Sequence, residues 1–200
     1  MSAQDRFDIR PVVLEGKYVR LEPLSLGHID ALYAAGNDES IWKWVSVGPR
    51  TREDFARWVE VALTGRDAGT ELPFTTIDLA SGDVVGSTRY LEISPRDRRL
   101  EIGWTWLTPS AQRTRINTEA KYLQLRHCFE ELGCLRVEWK TDARNEKSRA
   151  AIARLGAKEE GTFRKHMLSQ HGFQRDSVFF SMIDDEWPEA KARLEAMLHR

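Results

Sequence analysis

The sequence has few cysteines: Cys128 and Cys134 are the two among 200 residues. Their spacing matches neither zinc-binding nor redox motifs, and two free thiols are typical of a reducing compartment. We therefore predict a cytoplasmic protein without a bound metal ion. Cys128 falls on a helix face beside Leu125 and Phe129, which favours buried packing over a reactive thiol.

Long apolar runs and net charge are also lacking. No run approaches the roughly 20 residues of a membrane span. Lys and Arg number 30 against 31 Asp and Glu, and the net charge is −1. A net charge this close to zero gives no overall electrostatic attraction to nucleic acid or anionic lipid, and we predict neither as a partner. The first residues, MSAQDRFDIRPVV, lack the apolar core of a secretion signal.

Glycine-rich phosphate-binding motifs are also absent from the sequence. Neither G-x-x-x-x-G-K-[ST] nor G-x-G-x-x-G occurs in the sequence, which disfavours the common nucleotide-binding folds. What is present is the composition of a globular domain, 41% hydrophobic and 30% charged. We predict a loose lead-in over residues 1–15, one domain over residues 16–188 and a C-terminal helix over residues 189–200.

Periodicity divides the chain into strands and helices. Alternating or continuous apolar runs predict strands at residues 18–24, 72–79, 84–93, 99–107, 135–141, 162–168 and 176–183. Helical spacing predicts helices at residues 28–36, 51–63, 145–155 and 187–198, and one that follows a turn-rich segment within residues 108–132. Residues 41–49 are predicted to form an aromatic loop.

The helix within residues 108–132 joins two predicted strands, which implies that those strands are parallel within an otherwise antiparallel sheet. The prediction is therefore a mixed α+β domain. The segment before this helix is basic and follows an apolar strand. A helix N-terminus has unpaired N–H groups and a positive partial charge, so it can bind phosphate. The alternative is an ordinary helix start with surface arginines.

Five short motifs then resemble one family when they are taken in order. They are E-I-G-W at 101–104, Q-R-T-R-I-N-T-E-A-K at 112–121, N-E-K-S at 145–148, L-G-A at 155–157 and R-D-S-V at 175–178. Together they resemble the GNAT superfamily of acyl-CoA-dependent N-acetyltransferases, in its RimJ/RimL-like branch, over about residues 16–188.

The resemblance implies a fold, a co-substrate and a substrate class. It implies a single GNAT-like domain with one splayed parallel strand pair and helices on both faces of the sheet. Acetyl-CoA is the implied co-substrate. The implied acceptor is a primary amine, on a protein N-terminus or a small molecule. By analogy alone, a homodimer through the late strands or the C-terminal helix is compatible with the family.

The resemblance also assigns residues to acetyl-CoA. Those implied to bind it are Trp106, Leu107, Gln112, Arg113, Thr114, Arg115, Asn117, Thr118, Asn145 and Ser148. Arg115 and Asn117 stand where the family has glycines, which allow close backbone approach and positive φ. Trp104, Trp106 and Trp139 are expected to flank the pantetheine slot, and for each of them core packing is an equal alternative.

The implied chemistry is direct attack of a neutral amine on the thioester. Glu101 is the expected general base, and an ion-paired carboxylate near Arg98 and Arg99 is the alternative. His166 is a second candidate base. The family's acid is a tyrosine at the position of Ile152, so the resemblance leaves Ser148 as the hydroxyl near the leaving group.

The amine cleft is expected to be lined by residues from the early helices and the late hairpin. The candidates are Trp42, Trp44, Trp58, Arg164 and Lys165. Helix packing is the favoured alternative for Trp58. The lost glycines and the missing tyrosine also leave open a second hypothesis, an acyl-CoA-binding module without catalytic activity.

Overall fold

The computed structural model of the chain describes residues 7–45, 48–168 and 174–199. Its strands are β1 (Leu14–Glu15), β2 (Val19–Pro23), β3 (Leu72–Asp78), β4 (Val84–Ser94), β5 (Arg99–Leu107), β6 (Arg136–Asp142), β7 (Lys158–Leu168) and β8 (Gln174–Ile183). Its α-helices are α1 (Ile29–Gly36), α2 (Glu39–Trp42), α3 (Arg52–Asp67), α4 (Arg115–Arg126), α5 (Glu146–Leu155) and α6 (Trp187–Leu198).

The strands form one eight-stranded sheet in the order β1-β2-β3-β4-β5-β6-β8-β7. Among the described strands, β5 and β6 pair in parallel and the other neighbours pair antiparallel. Helix α4 makes the crossover between the two parallel strands. The predicted mixed α+β fold is confirmed.

Local sequence accounts for the helix ends. The Thr51 hydroxyl accepts from the Asp54 N–H at the start of α3, while the Asp54 carboxylate accepts from the Thr51 N–H. This reciprocal capping satisfies two N–H groups that a helix start leaves unpaired. Helix α5 ends at Gly156, where φ is 106°, a conformation that glycine adopts without a steric penalty.

Two short elements were not predicted from the sequence, and α3 and β7 each extend four residues beyond the predicted bounds. Leu14–Glu15 pairs with β2, although residues 1–15 were predicted to be a loose lead-in. The first part of the predicted 41–49 loop belongs to α2, because Asp38 accepts hydrogen bonds from the Ser40 N–H and hydroxyl and starts a helical turn. Residues 46–47 of that loop, residues 1–6 of the lead-in and Arg200 lie outside the described residues.

Helices cover both faces of the sheet. Helices α1 and α3 bury one apolar cluster that includes Leu32, Phe55 and Trp106. Helices α4, α5 and α6 cover the other face, where a larger cluster includes Cys128, as predicted. No helix of the described part of the chain is both long and apolar enough to span a membrane.

Helix α4 is tied to the start of the sheet through Glu119. Its buried carboxylate accepts hydrogen bonds from the backbone N–H groups of Lys17, Tyr18 and Val19 at 2.9, 2.6 and 2.8 Å. Gly16 precedes this turn, and a Cβ there would overlap the carboxylate. One buried side chain therefore fixes the β1–β2 turn against α4.

The parallel pair is short. Strands β5 and β6 are in register at Arg99–Arg136, Leu100–Val137 and Glu101–Glu138 and then diverge. On its other side β5 carries a register shift against β4 between Ser87 and Arg89. The shift accompanies Trp104, whose φ of 49° is in the left-handed region. The bend and the divergence open a gap in the sheet.

Candidate active site

The gap between β5 and β6 opens into a cavity of about 1560 Å³. Its central walls are residues 101–107 of β5 and residues 139–141 of β6. The start of α4, the inner side of α5, Trp44 and Glu92 also line the cavity. The cavity is thus a slot in the sheet with a basic region at the start of α4 and an aromatic region at Trp44.

The basic region of the cavity lies at the start of α4. The Thr114 hydroxyl accepts from the Ile116 N–H at 3.2 Å and donates to the Ala111 carbonyl at 2.7 Å. The Gln112 amide N–H donates to the Leu107 carbonyl at 2.9 Å, and its oxygen accepts from the Lys147 ammonium. With Arg113 also lining the cavity, free helix N–H groups and cations converge on one point, which suits a phosphate.

The two glycine replacements cause no backbone strain. Arg115 and Asn117 both lie within α4, and neither is among the described residues with positive φ. The left-handed residue of this loop is Arg113, with φ of 62°. Neither Arg115 nor Asn117 therefore occupies a backbone conformation that requires glycine in this chain.

The structure divides the predicted acetyl-CoA residues into two groups. Gln112, Arg113, Thr114, Asn117, Asn145, Ser148, Trp106 and Leu107 line the cavity. Arg115 and Thr118 are not among its lining residues. The Arg115 guanidinium lies over the Tyr18 ring at 5.2 Å, and the Thr118 hydroxyl accepts from Arg154 at 3.0 Å.

Tryptophans form the middle of the slot. Trp106 and Trp139 are almost fully buried and line the cavity together with Trp104. Among the described residues, the indole N–H groups of Trp106 and Trp139 have no hydrogen-bond partner. Beyond Glu101 and Glu138, the facing edges of β5 and β6 no longer pair with each other. These edges offer backbone donors and acceptors to an extended ligand.

Helix α5 contributes a cap and a hydroxyl. The Asn145 side-chain oxygen accepts from the Ser148 N–H at 3.1 Å, so Asn145 is a helix N-cap and its amide N–H₂ remains to face the slot. Ser148 lines the slot and so does Ile152. The position to which the resemblance assigns the family's tyrosine is thus occupied by the apolar Ile152 in this chain.

Glu101 is 4% exposed and lies at the floor of the slot. Burial raises the pKa of its carboxyl group, while Lys140, whose ammonium lies at 2.8 Å, acts in the opposite direction. The expected alternative had named the neighbouring arginines as partners, but Arg99 pairs with Glu138 at 3.3 Å. A carboxylate with a raised pKa and one flexible cationic partner is suited to exchange protons.

The aromatic region of the cavity is formed by Trp44, which is one of its lining residues. Its ring lies under the Arg144 guanidinium at 5.6 Å and the Lys43 ammonium at 5.1 Å. Trp42 is not a lining residue: its ring contacts that of Trp106 at 5.1 Å, and its indole N–H donates to the Gly36 carbonyl at 2.8 Å. Trp42 therefore supports the cavity wall from behind.

The other predicted amine-side residues lie away from the slot. Trp58 is buried in the core, as its alternative predicted, and stacks under Arg89 at 4.3 Å. Arg164, Lys165 and His166 line a separate shallow cleft on β7. The His166 ring pairs with the Ser177 hydroxyl at 3.1 Å, and His166 is not among the residues that line the slot.

Among the cavity residues to which sequence reasoning gave no role are Lys121, Lys140, Lys147 and Arg175. Lys121 ends the longest quoted motif and occupies the buried stripe of α4 with Ala120 and Gln124. In the sequence, a charged residue on the apolar face of a predicted helix was the signal that could have identified Lys121. Lys140 had no such signal, because alternating charged residues on a strand ordinarily face water.

Comparisons with known proteins agree with this geometry. Residues 19–158 match the family described as "Acetyltransferase (GNAT) domain". The chain is 33% identical over 113 residues to the "Putative ribosomal N-acetyltransferase YdaF" of Bacillus subtilis (strain 168), a match that covers 56% of this chain. The chain spans about three fifths, 61%, of that relative's length.

Solved structures show the same fold. A GCN5-related N-acetyltransferase from Brucella melitensis is 37% identical with a TM-score of 0.89, covering 95% of this chain and 86% of that one. RimJ of Mycobacterium smegmatis in complex with CoA-disulfide is 23% identical with a TM-score of 0.78, covering 94% and 92%. With the slot, the basic helix start and the match over residues 19–158, these findings show that the chain belongs to the GNAT acetyltransferase family.

Proposed function

We propose that the protein transfers an acetyl group from acetyl-CoA to a primary amine, on a protein N-terminus or a small molecule. The observation that carries this proposal is Glu101, a buried carboxylate with a raised pKa at the floor of a slot through the sheet. Phosphate-binding groups at the start of α4 and the Trp44 ring line the same slot. This arrangement suits direct attack, with the thioester and the amine meeting at Glu101.

The described residues fit an acyl-CoA. The pyrophosphate accepts from the first-turn N–H groups of α4 and from Arg113 and Lys147. The pantetheine amides pair with the free edges of β5 and β6 beyond Glu101 and Glu138. Asn145 donates through its amide N–H₂, since its oxygen is used as the helix cap. The bound group supplies a thioester whose carbonyl carbon accepts the amine.

Glu101 removes the proton of the acceptor ammonium. An α-amine has a pKa of about 8, against about 10.4 for a lysine side chain, so it needs less help from a base. Lys140 favours the charged form of Glu101 against the effect of burial and can turn away when the acceptor arrives, because its side chain is partly exposed. This modest base is matched to an N-terminal or other amine of low pKa.

The reacting oxygen and sulfur need partners of their own. Backbone N–H groups within residues 104–107 of β5 donate to the developing oxyanion, since the bend at Trp104 turns this segment towards the slot. Ser148 lies across the slot on α5 and donates a hydrogen bond to the departing sulfur. Trp44 and Arg144 shape the acceptor side.

Two features bear on the partner and its location. The relative YdaF is named for a ribosomal acceptor, which favours a protein N-terminus over a small amine. Such acceptors are cytoplasmic, and Cys128 and Cys134 are free and buried, which agrees with that location. We therefore include ribosomal-protein N-termini among the acceptors to be tested first.

The proposal is tested by measuring CoA thiol release from acetyl-CoA with a panel of amines. The panel contains peptides with a free α-amine, the same peptides with a blocked α-amine and an internal lysine, and small amines. We expect release with free α-amines and little with the blocked peptides. Calorimetric binding of acetyl-CoA without turnover on any amine would instead indicate an acyl-CoA-binding module, and absence of binding would refute both.

The ion pair between Lys140 and Glu101 predicts a pH effect. Lys140 favours the charged form of Glu101, so Lys140→Met raises the carboxyl pKa further. The limb of kcat/KM that rises with pH then shifts to higher pH, and the rate at about pH 6 falls more than the rate at about pH 8. An unchanged limb in this variant, measured by thiol release, would show that Glu101 is not the titrating base.

The loop geometry predicts how two arginine variants differ in binding acetyl-CoA. Arg113 lines the cavity, whereas Arg115 lies over Tyr18. We expect Arg113→Ala to weaken binding about tenfold, the loss of one charge-assisted phosphate contact. Arg115→Gly should change binding by less than about threefold, and by calorimetry it serves as the matched control. Markedly tighter binding by Arg115→Gly would contradict the structure.

A further inference from the structure

Lys121 is a buried amine that the proposed mechanism does not use. The residue is 4% exposed, and it projects from α4 towards the sheet. Its Nζ donates to the hydroxyls of Thr88 and Thr105 and to the side-chain oxygen of Gln124, each at 2.8 Å. These three acceptors are neutral and come from β4, β5 and α4. A buried ammonium is ordinarily paired with a carboxylate, so this arrangement calls for an explanation.

The surroundings of Lys121 make its proton easy to lose. Burial lowers the pKa of the ammonium to about 7, and the titratable group that opposes this is Cys128, in the helical turn that follows α4. Thr88 and Thr105 face it from the sheet and Gln124 from its own helix, and none of them carries a charge. The amine thus titrates near neutrality in a place where both of its forms can be hydrogen-bonded.

Lys121 is connected to the slot through Thr105. Both residues line the cavity, and Thr105 is exposed there. Thr105 follows Trp104 at the bend of β5, in the segment assigned above to the thioester oxygen. A hydroxyl on the cavity surface is therefore in contact with an amine that is itself almost fully buried.

The reaction leaves one proton unassigned. A thiol such as that of CoA has a pKa of about 8.5, so the departing sulfur binds a proton at neutral pH. The family's tyrosine position is occupied by Ile152. The hydroxyl of Ser148 can donate a hydrogen bond, but a serine hydroxyl does not part with a proton unless another group replaces it. A group that titrates near neutrality is the better source.

We propose that Thr105 and Lys121 form a proton relay that protonates the departing thiolate. As the amine nitrogen forms its bond to the acetyl carbon and the carbon–sulfur bond breaks, the electron pair of that bond remains on sulfur. The Thr105 hydroxyl gives its proton to the sulfur, and the Lys121 ammonium replaces it. The proton that the amine nitrogen loses as the amide bond forms passes to solvent, and neutral Lys121 regains a proton from solvent when the products leave. This inference rests on the proposed acetyl transfer.

The relay is tested with two substitutions at one position. Thr105→Val keeps the shape of the side chain and removes the hydroxyl, whereas Thr105→Ser keeps the hydroxyl. We expect kcat to fall about 10²-fold in the valine variant, the lower end of the usual range for a proton donor. The serine variant should remain within about threefold of the wild type. Equal losses in both would assign Thr105 a packing role and overturn the relay.

Lys121→Met tests the amine itself. Its kcat should fall as in Thr105→Val, and the decline of kcat above about pH 7, which reports loss of the ammonium proton, should disappear. Thr105→Val and Lys121→Met combined should lose no more than either alone, because they interrupt one path. Additive losses, or a wild-type decline that persists in both variants, would refute the relay. Thermal unfolding of each variant identifies a folding defect.

A measurement that does not depend on enzymatic turnover tests the relay separately from the proposed function. Lysine-selective isotope labelling and NMR titration of the CoA-bound wild type follow Lys121 directly, with Lys121→Met identifying its signal. We expect titration near neutrality, and an ammonium that persists beyond about pH 9 would refute the relay whether or not the protein is active. If no amine is acetylated while Lys121 titrates near pH 7 and CoA binds, the proposed function fails, and a relay that serves it falls with it.

Discussion

Glu101→Gln is expected to lower kcat by about 10²- to 10⁴-fold, the range for loss of a general base. The amide keeps the size of the side chain and can still accept from Lys140, but it cannot take a proton from the acceptor ammonium. Binding of acetyl-CoA should remain within about threefold, because Glu101 lies at the floor of the slot and the phosphate-binding groups lie at the start of α4. Thiol release under saturating substrates and calorimetry measure the two quantities.

Glu138→Gln is the matched control. Glu138 is the parallel-strand partner of Glu101, but it pairs with Arg99 and Arg136 and is not among the cavity residues. We expect its kcat to stay within about threefold of the wild type. A similar loss in both variants would mean that charge in this part of the sheet, rather than proton transfer at Glu101, supports the rate.

Glu119→Gln is expected to lower the free energy of unfolding by about 2 to 4 kcal/mol. The carboxylate uses both oxygens to accept three backbone N–H groups from Lys17, Tyr18 and Val19. An amide has a single acceptor oxygen, so its N–H₂ group must face at least one of these donors. Denaturant unfolding at constant pH measures the loss, and the slope should remain that of the wild type.

Two further variants of this prediction distinguish the buried contact from charge alone. Glu131→Gln removes a carboxylate that is largely exposed and lies 3.8 Å from His127, and it should change stability by less than about 0.5 kcal/mol. Gly16→Ala places a Cβ against the Glu119 carboxylate and should cost about 1 to 3 kcal/mol. A Glu119→Gln variant as stable as Glu131→Gln would contradict this assignment.

The order of strands and helices was predictable because the signals are local. Thr51 and Asn145 cap helices that were predicted to begin at residues 51 and 145, and Gly156 follows the predicted end of α5 at residue 155. The two missed elements are short. Leu14–Glu15 has too few residues to show a period, and it is a strand because of its pairing with β2. Helix α2 depends on the Asp38 cap in a stretch of tryptophans without periodicity.

The site was predictable to the level of its motifs. Glu101, Gln112 and Ser148 line the cavity as expected, since each belongs to a quoted motif. The contacts of Glu119 and Lys121 were not predictable, although both belong to the same motif. They depend on partners that are distant in sequence, the turn at residues 17–19 and the strands β4 and β5. Only the folded sheet brings those partners together.

The short parallel ladder has a mechanical consequence. Three residue pairs join β5 to β6, whereas seven join β6 to β8. Apart from the two-residue pairing of the edge strand β1 with β2, the line between the first five strands and the last three therefore has the fewest paired residues in the sheet, and under a pulling force across the strands the body of the sheet should separate there first. A ligand that hydrogen-bonds to the unpaired edges of both β5 and β6 would join the two parts of the sheet and raise the force needed to separate them.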